Sequence, residues 1–295
     1  MKKVLYFGTP DIAVKPFLEL FNMDSIEVIG VVTPPEKFLG RKKILTPSPV
    51  QVAADKLGIP VYHAQKKREV IKITQTLNPD LNIVIAFGVI FPEEALNYPI
   101  HGTVNVHFSL LPKYRGASPV QSAILAGDTN SGIAIQRMVY DLDAGDLIHT
   151  EPMDIKNMTT ATAWEAMSQR TAEILPGIIN RYIRGEITLI SQDHEAATKC
   201  GKFVKSDGLL DPREMTAEQI YRMYLAFTPW PTVRLNTLKG EMKLLKLSLT
   251  RVDNGVMIHC KNNTKLWIII AQIPGKKPQN ILDILRGNAE ILDIL

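Results

Sequence analysis

The sequence predicts an α/β fold in which a parallel sheet is flanked by helices and followed by a small β-barrel. Three observations carry it. Short Val- and Ile-rich runs alternate with helix-like stretches through the first 150 residues, the pattern of a parallel sheet covered on both faces. A polar stretch poor in large apolar residues, SQDHEAATKCGKFVKSD from Ser191 to Asp207, then interrupts the chain. Beyond it, several short alternating segments follow in fewer than 90 residues, as in a small barrel.

The strand candidates in order are Val4–Phe7, Ile26–Val32, Ile59–His63, Leu81–Phe87 and Val104–His107. The first helix runs from about Asp11 to Phe21, with Pro16 straining its middle. The second starts at Ser48-Pro49, a Ser cap followed by Pro at the first helical position, and stops at Gly58. Glu69–Leu77 and Pro119–Ala126 follow the same logic, and Thr160 to about Arg184 closes the unit. Pro176-Gly177 is expected to kink or split that last helix. After the connector, Thr216–Leu225 reads as a helix capped by Thr216, with acidic Glu218 in its first turn. Thr232–Leu235, Met242–Leu249, Gly255–Cys260 and Leu266–Gln272 read as strands, separated by turns at Lys239-Gly240 and Asp253-Asn254-Gly255. The repeated ILDIL at 281–285 and 291–295 reads as two apolar patches of one terminal helix. Domain limits follow: a catalytic domain over 1–190, a linker over 191–206, and a C-terminal domain over 207–295.

Composition narrows the function. An apolar fraction of 45% with 22% charged residues suits a soluble chain with a full core. The net charge of +4 is unevenly placed: residues 1–195 carry 19 Lys/Arg against 21 Asp/Glu, leaving 15 against 9 beyond them. A basic C-terminal third suits a polyanionic partner. Cys200 and Cys260 have no CxxC spacing, so neither a zinc site nor a disulfide framework is expected. No signal-like or membrane-spanning run occurs, and a cytoplasmic protein is expected.

The chemistry concentrates in NVHFSLLPKYRG, residues 105–116. Asn105 and His107 stand at i and i+2 of a strand and therefore share a face. Both lie at the strand's C-terminal end, where open α/β sheets bind ligands. The segment Asp141-Leu142-Asp143-Ala144-Gly145-Asp146 supplies carboxylates on a Gly-bearing loop, and spacing alone leaves open which of them faces His107. Amide, imidazole and carboxylate together suit acyl transfer: one polarises a carbonyl, one moves protons, one orients the second. Gly8-Thr9-Pro10 lacks the GxGxxG spacing, and Pro10 removes a phosphate-binding N–H, which argues for a plain strand-to-helix turn. Ser109 lies in HFSLLP rather than in a GxSxG elbow, which argues against a serine hydrolase. The basic segment Lys37–Lys43, framed by Pro34-Pro35 and Pro47-Ser48-Pro49, reads as a long loop able to set cations on phosphates and apolar side chains on bases.

These motifs resemble the 10-formyltetrahydrofolate-dependent formyltransferases, and the methionyl-tRNA branch of that family in particular. YFGTP, GRKKILTPSPV, NVHFSLLPKYRGASPVQ, LDAGDLI, DGLLD, AFTPWP and PGKKP spread the likeness along nearly the whole chain. The resemblance implies Asn105, His107 and Asp143 as the catalytic set. It implies Ser109, Leu110, Leu111 and Pro112, with Phe87, Gly88, Val89, Ile90 and Phe91, along a folate pocket. Arg41 would meet the acceptor stem of a transfer RNA, helped by Lys42 and Lys43. A Rossmann-like, mostly parallel domain followed by an OB-type β-barrel is implied. So are 10-formyltetrahydrofolate as co-substrate and methionyl initiator tRNA as acceptor; no metal is needed, no membrane is involved, and a monomer is the expected state. The chain departs from the family pattern at Phe108, where a proline is usual, at Thr198-Lys199-Cys200-Gly201, and in a shortened span between Leu249 and Asn254. Two other readings compete: formylation of a small amine such as a purine precursor or amino-sugar nucleotide, and a catalytically idle RNA-binding protein.

Overall fold

The computed structural model describes residues 1–39, 43–287 and 291. Contacts divide the chain into two compact units, one of Met1–Pro119, Ser131–Asp154 and Trp164–Cys200, the other of Val120–Asn130, Ile155–Ala163 and Gly201–Leu295.

In chain order the elements through Cys200 are β1 (Lys2–Gly8), α1 (Val14–Phe21), β2 (Ile26–Thr33), β3 (Lys37–Leu39), β4 (Ile44–Thr46), α2 (Pro49–Lys56), β5 (Val61–His63), α3 (Lys67–Leu77), β6 (Leu81–Ile85), α4 (Glu93–Leu96), β7 (Thr103–His107), β8 (Arg115–Gly116), α5 (Pro119–Ala126), β9 (Asn130–Arg137), β10 (Leu147–Asp154), α6 (Thr160–Ile183) and β11 (Lys199–Cys200). The main sheet has the order β10-β9-β7-β6-β1-β2-β5. From β7 to β5 neighbouring strands are parallel. Val4 to Phe7 of β1 and all five residues of β6 are buried, as strands covered on both faces require. The departure lies at β9, which runs antiparallel to β7 and pairs Asn105 with Gln136 and His107 with Ala134. The sequence reading assigned no strand to 130–137 or 147–154.

Several local readings hold. Ser48 caps α2, its hydroxyl accepting from the Gln51 N–H at 3.1 Å, and Pro49 opens the helix. Phe108 is a buried core residue. Others need correction. The helix of 11–21 begins as a 3-10 turn over Asp11–Ala13, which places Pro16 in the first turn of α1, where a missing N–H costs little. Strand β6 ends at Ile85, because Ala86 adopts a left-handed backbone that turns the chain out of the sheet. Helix α6 is continuous through Pro176 rather than split. Leu175, Ile178 and Ile179 are buried on both sides of the proline, and that packing offsets the roughly 3 kcal/mol a proline costs inside a helix. The start of the basic segment, read as a loop, is strand: β3 pairs antiparallel with β4, with Lys37 opposite Thr46 and Phe38 opposite Leu45. Its run of cations hides the alternation. Arg41 and Lys42 lie outside the described residues; Lys43 is exposed with a left-handed backbone.

The second unit adds β12 (Leu209–Leu210), α7 (Ala217–Ala226), β13 (Arg234–Thr237), β14 (Gly240–Ser248), β15 (Val256–Cys260), β16 (Thr264–Gln272), β17 (Gln279–Asn280) and α8 (Ile281–Arg286). Its strands pair in the order β12-β13-β14-β16-β15, with β17 on β16. Register shifts between β14 and β16 at Leu244–Leu247 bend this sheet. Thr216 caps α7 with Gln219 in reciprocal hydrogen bonds. Buried Arg234 pairs with Glu241 at 3.1 Å and donates to the Pro231 and Thr232 carbonyls. Burial pushes the Cys260 thiol up to about 11, aided by the Glu218 carboxylate, as expected for an inert structural cysteine. Of the terminal helix expected over both ILDIL copies, the first copy lies in α8, which ends at Arg286; the second lies outside the described residues apart from buried Ile291.

Replacing Ser48 with alanine removes the cap of α2 and is expected to cost about 1 kcal/mol in urea unfolding. An unchanged midpoint would show that the cap contributes nothing.

Candidate active site

Strand β7 brings Asn105 and His107 to the carboxyl edge of the sheet on one face, both buried. The loop after β9 folds back so that Asp143 meets them. Asn105 Nδ2 donates to Asp143 Oδ1 at 3.4 Å, and His107 Nδ1 lies 3.6 Å from the same oxygen. The side chains of His107 and Asp143 are 7% and 8% exposed, so the carboxylate depends on protein donors. Gln136 Nε2 donates to Oδ1 at 3.0 Å and the Gly116 N–H to Oδ2 at 2.8 Å.

The other two loop aspartates are used elsewhere. Asp146 accepts from Ser191 Oγ at 2.9 Å, and Asp141 is exposed. Asp143 is thus the carboxylate facing His107. It has a left-handed backbone, φ +53°. Gly145 is obligatory in this loop, since a β-carbon there would run into the Arg137 carbonyl oxygen.

Hydrogen bonding fixes one proton of the histidine. His107 Nε2 is 2.9 Å from the Tyr114 carbonyl oxygen, which can only accept, so Nε2 carries a hydrogen. Nδ1 is the ring nitrogen on the Asp143 side. The Tyr114 carbonyl also accepts from Cys200 Sγ at 3.3 Å. Strand β11 pairs with β8 beside it.

The residues expected along a folate pocket divide into supports and exposed edges. Phe7, Phe87 and Phe91 pack edge to face, with centroids 4.8 to 6.1 Å apart. Phe91 is core, and Phe87, Val89 and Met138 pack against the same cluster. Ile90 and Gly88 are exposed. Ser109 is fully buried and donates to the Lys113 carbonyl at 2.6 Å, closing the SLLP turn. Leu111 is buried, while Leu110 and Pro112 are half-buried. Exposed Val139, Tyr140 and Leu142 lead into Asp143. Among the described residues no cluster of His, Cys, Asp and Glu is arranged to hold a metal.

Four contributors escaped the sequence reading: the Tyr114 carbonyl, the Gly116 N–H, Gln136 and Gln192. The alternation of IAIQRM at 133–138 would have revealed β9, and with it Gln136 opposite Asn105. Gln192 sits in the polar stretch 191–207, where its sequence neighbours give no local signal.

A buried amide–imidazole–carboxylate group at the edge of such a sheet defines a candidate acyl-transfer site, and the comparisons narrow the class. Residues 2–181 match the formyl transferase family, and residues 202–289 match the formyl transferase C-terminal domain. The chain belongs to the formyl transferase family. Its full-length relatives set it with the methionyl-tRNA formyltransferases. The protein of that name from Sulfurihydrogenibium sp. (strain YO3AOP1) is 33% identical, over 97% of this chain and 96% of its own length. The one from Bacillus subtilis (strain 168) is 36% identical, over 100% and 98%. Among solved structures, the methionyl-tRNA formyltransferase from Clostridium thermocellum superposes with a TM-score of 0.61 at 15% identity, covering 92% of this chain and 99% of its own. HypX from Aquifex aeolicus in complex with tetrahydrofolic acid gives 0.66 at 14%, covering 96% of this chain and 47% of its own. At such identities the structures speak for the fold, a Rossmann-like domain followed by a β-rich one.

Gly145→Ala is expected to displace the Asp143 loop and lower formylation more than it lowers the unfolding midpoint. Wild-type turnover in this variant would mean that the close approach is dispensable.

Proposed function

We propose that the protein transfers the formyl group of 10-formyltetrahydrofolate to the α-amino group of methionyl initiator tRNA, giving N-formylmethionyl-tRNA for translation initiation. The observation that carries this is the buried meeting of Asn105, His107 and Asp143 in a chain related over its full length to methionyl-tRNA formyltransferases. It acts as a monomer in the cytoplasm. No helix among the described residues is long and apolar enough to cross a membrane.

The folate fits what the site offers. Loops 86–92 and 138–143 are neighbours through Phe87, Val89, Phe91 and Met138, and between them they expose Ile90, Val139, Tyr140 and Leu142. Such apolar edges suit a flat aromatic ring system. When bound, the co-substrate supplies a formyl carbon activated on N10.

The residues have separable tasks. The Asn105 amide donates to the oxygen that gains negative charge as the amine attacks. His107 has its Nε2–H committed to the Tyr114 carbonyl, so Nδ1 is the nitrogen that donates or exchanges a proton. Asp143 orients that edge and receives the amine proton, directly or through water; as the tetrahedral centre collapses, the bond from the formyl carbon to N10 breaks and N10 takes up a proton. Arg41, Lys42 and Lys43, with the cations beyond residue 195, hold the acceptor RNA by its phosphates. Affinity then falls steeply with salt.

Incubation with 10-formyltetrahydrofolate and charged initiator tRNA is expected to yield formylmethionine, with an elongator tRNA as the control. Asn105→Ala and His107→Ala are each expected to lower turnover by about 10²- to 10³-fold while folate binding persists. Near wild-type turnover in either variant would remove that residue from the mechanism. Formylation of a small amine, but not of the charged tRNA, would favour the alternative acceptor.

A further inference from the structure

One buried polar residue binds the backbone of the loop that carries Asp143 without a hydrogen bond to the side chains of the reacting set. Gln192 is 5% exposed. Its Oε1 accepts from Arg115 Nε at 3.1 Å and from the terminal guanidinium nitrogen at 2.7 Å. A guanidinium only donates, which fixes the orientation of the amide. Nε2 therefore faces the other way, and donates to the carbonyl oxygens of Asp143 at 3.0 Å and Gly145 at 2.6 Å. On the other side of the loop, Gln136 Oε1 accepts the Gly145 N–H at 3.1 Å. The backbone of residues 143–145, left-handed at Asp143 and disfavoured by itself, is thus clamped by two side-chain amides, Gln192 on the Asp143 and Gly145 carbonyls and Gln136 on the Gly145 N–H.

The second end of the bridge matters equally. Arg115 precedes Gly116, whose N–H donates to Asp143 Oδ2. Gln192 therefore ties the strand that supplies this donor to the loop that supplies the carboxylate. We propose that Gln192 is a positioning residue: by joining Arg115 to the Asp143 and Gly145 carbonyls, it keeps the Asp143 carboxylate aimed at His107 Nδ1. The role rests on Asp143 belonging to the catalytic set.

The test compares Gln192→Met, Gln192→Glu, Asp143→Asn and the Gln192→Met/Asp143→Asn pair in the full-length protein. Formylation kinetics are measured on both substrates, with unfolding midpoints taken in parallel. Methionine keeps the volume and loses every hydrogen bond. Glutamate keeps the Arg115 pairing but places an acceptor against two carbonyls, and it carries the test if the methionine variant is unfolded. Both are expected to lower kcat roughly 10- to 100-fold, with KM for tRNA and folate within about threefold. In the Asp143→Asn background, Gln192→Met is expected to change kcat by less than about threefold, the signature of two residues acting as one unit. A purely structural role would lower the midpoint and multiply through the double variant. Wild-type kcat in folded Gln192→Glu, or full multiplicativity in the pair, overturns the proposal. Wild-type kcat in Asp143→Asn overturns the catalytic reading beneath it instead.

Discussion

The candidate site depends on keeping one carboxylate out of water. An ionised group taken from solvent costs several kcal/mol unless donors replace its hydration, and Asp143 finds them in Gln136, Asn105 and the Gly116 N–H. Each donor comes from a different segment, so the buried carboxylate requires three pieces of chain to converge. Gly145 permits one approach, since any side chain there would strike Arg137. Gly116 permits another, because a β-carbon on it would strike the Cys200 carbonyl. Small residues and amides around one aspartate thereby set the shape of the carboxyl edge of the sheet.

Sheet direction explains how this is possible. In a wholly parallel sheet every strand would bring only its C-terminal residues to the ligand-binding edge. Strand β9 runs against β7, so it starts at that edge and carries Gln136 past Asn105 before the chain returns as the Asp143 loop. Direct cross-strand pairing puts the two amides on one face, where both reach Asp143 Oδ1.

Much of this was legible in the sequence, and the parts that were not share a cause. The strands of the parallel half announce themselves because double-sided burial demands unbroken apolar runs. Asn105 and His107 were readable because strand periodicity is strictly two. The helix at Ser48-Pro49 was readable because capping chemistry is local. Asp143 could not be distinguished from Asp141 and Asp146 by spacing alone, since the choice depends on a left-handed turn and on donors distant in sequence. Gln192 was invisible for a related reason: a single polar residue among others acquires meaning only from the carbonyls it meets. The pairing of β3 with β4 escaped because charges, rather than an alternating pattern, dominate the stretch.

The pairing of β11 with β8 bears on where the catalytic part of the chain ends. Composition suggests a division near residue 190, at the start of a polar connector. Yet residues 191–200 supply Ser191 to Asp146, Gln192 to the Asp143 loop, and a strand beside Gly116. A fragment trimmed at the compositional boundary would keep Asn105, His107 and Asp143 while losing a wall of their enclosure. The piece of chain that builds the candidate site therefore extends at least through Cys200, and a protease nick between 190 and 200 would cut that site while appearing to cut a tether.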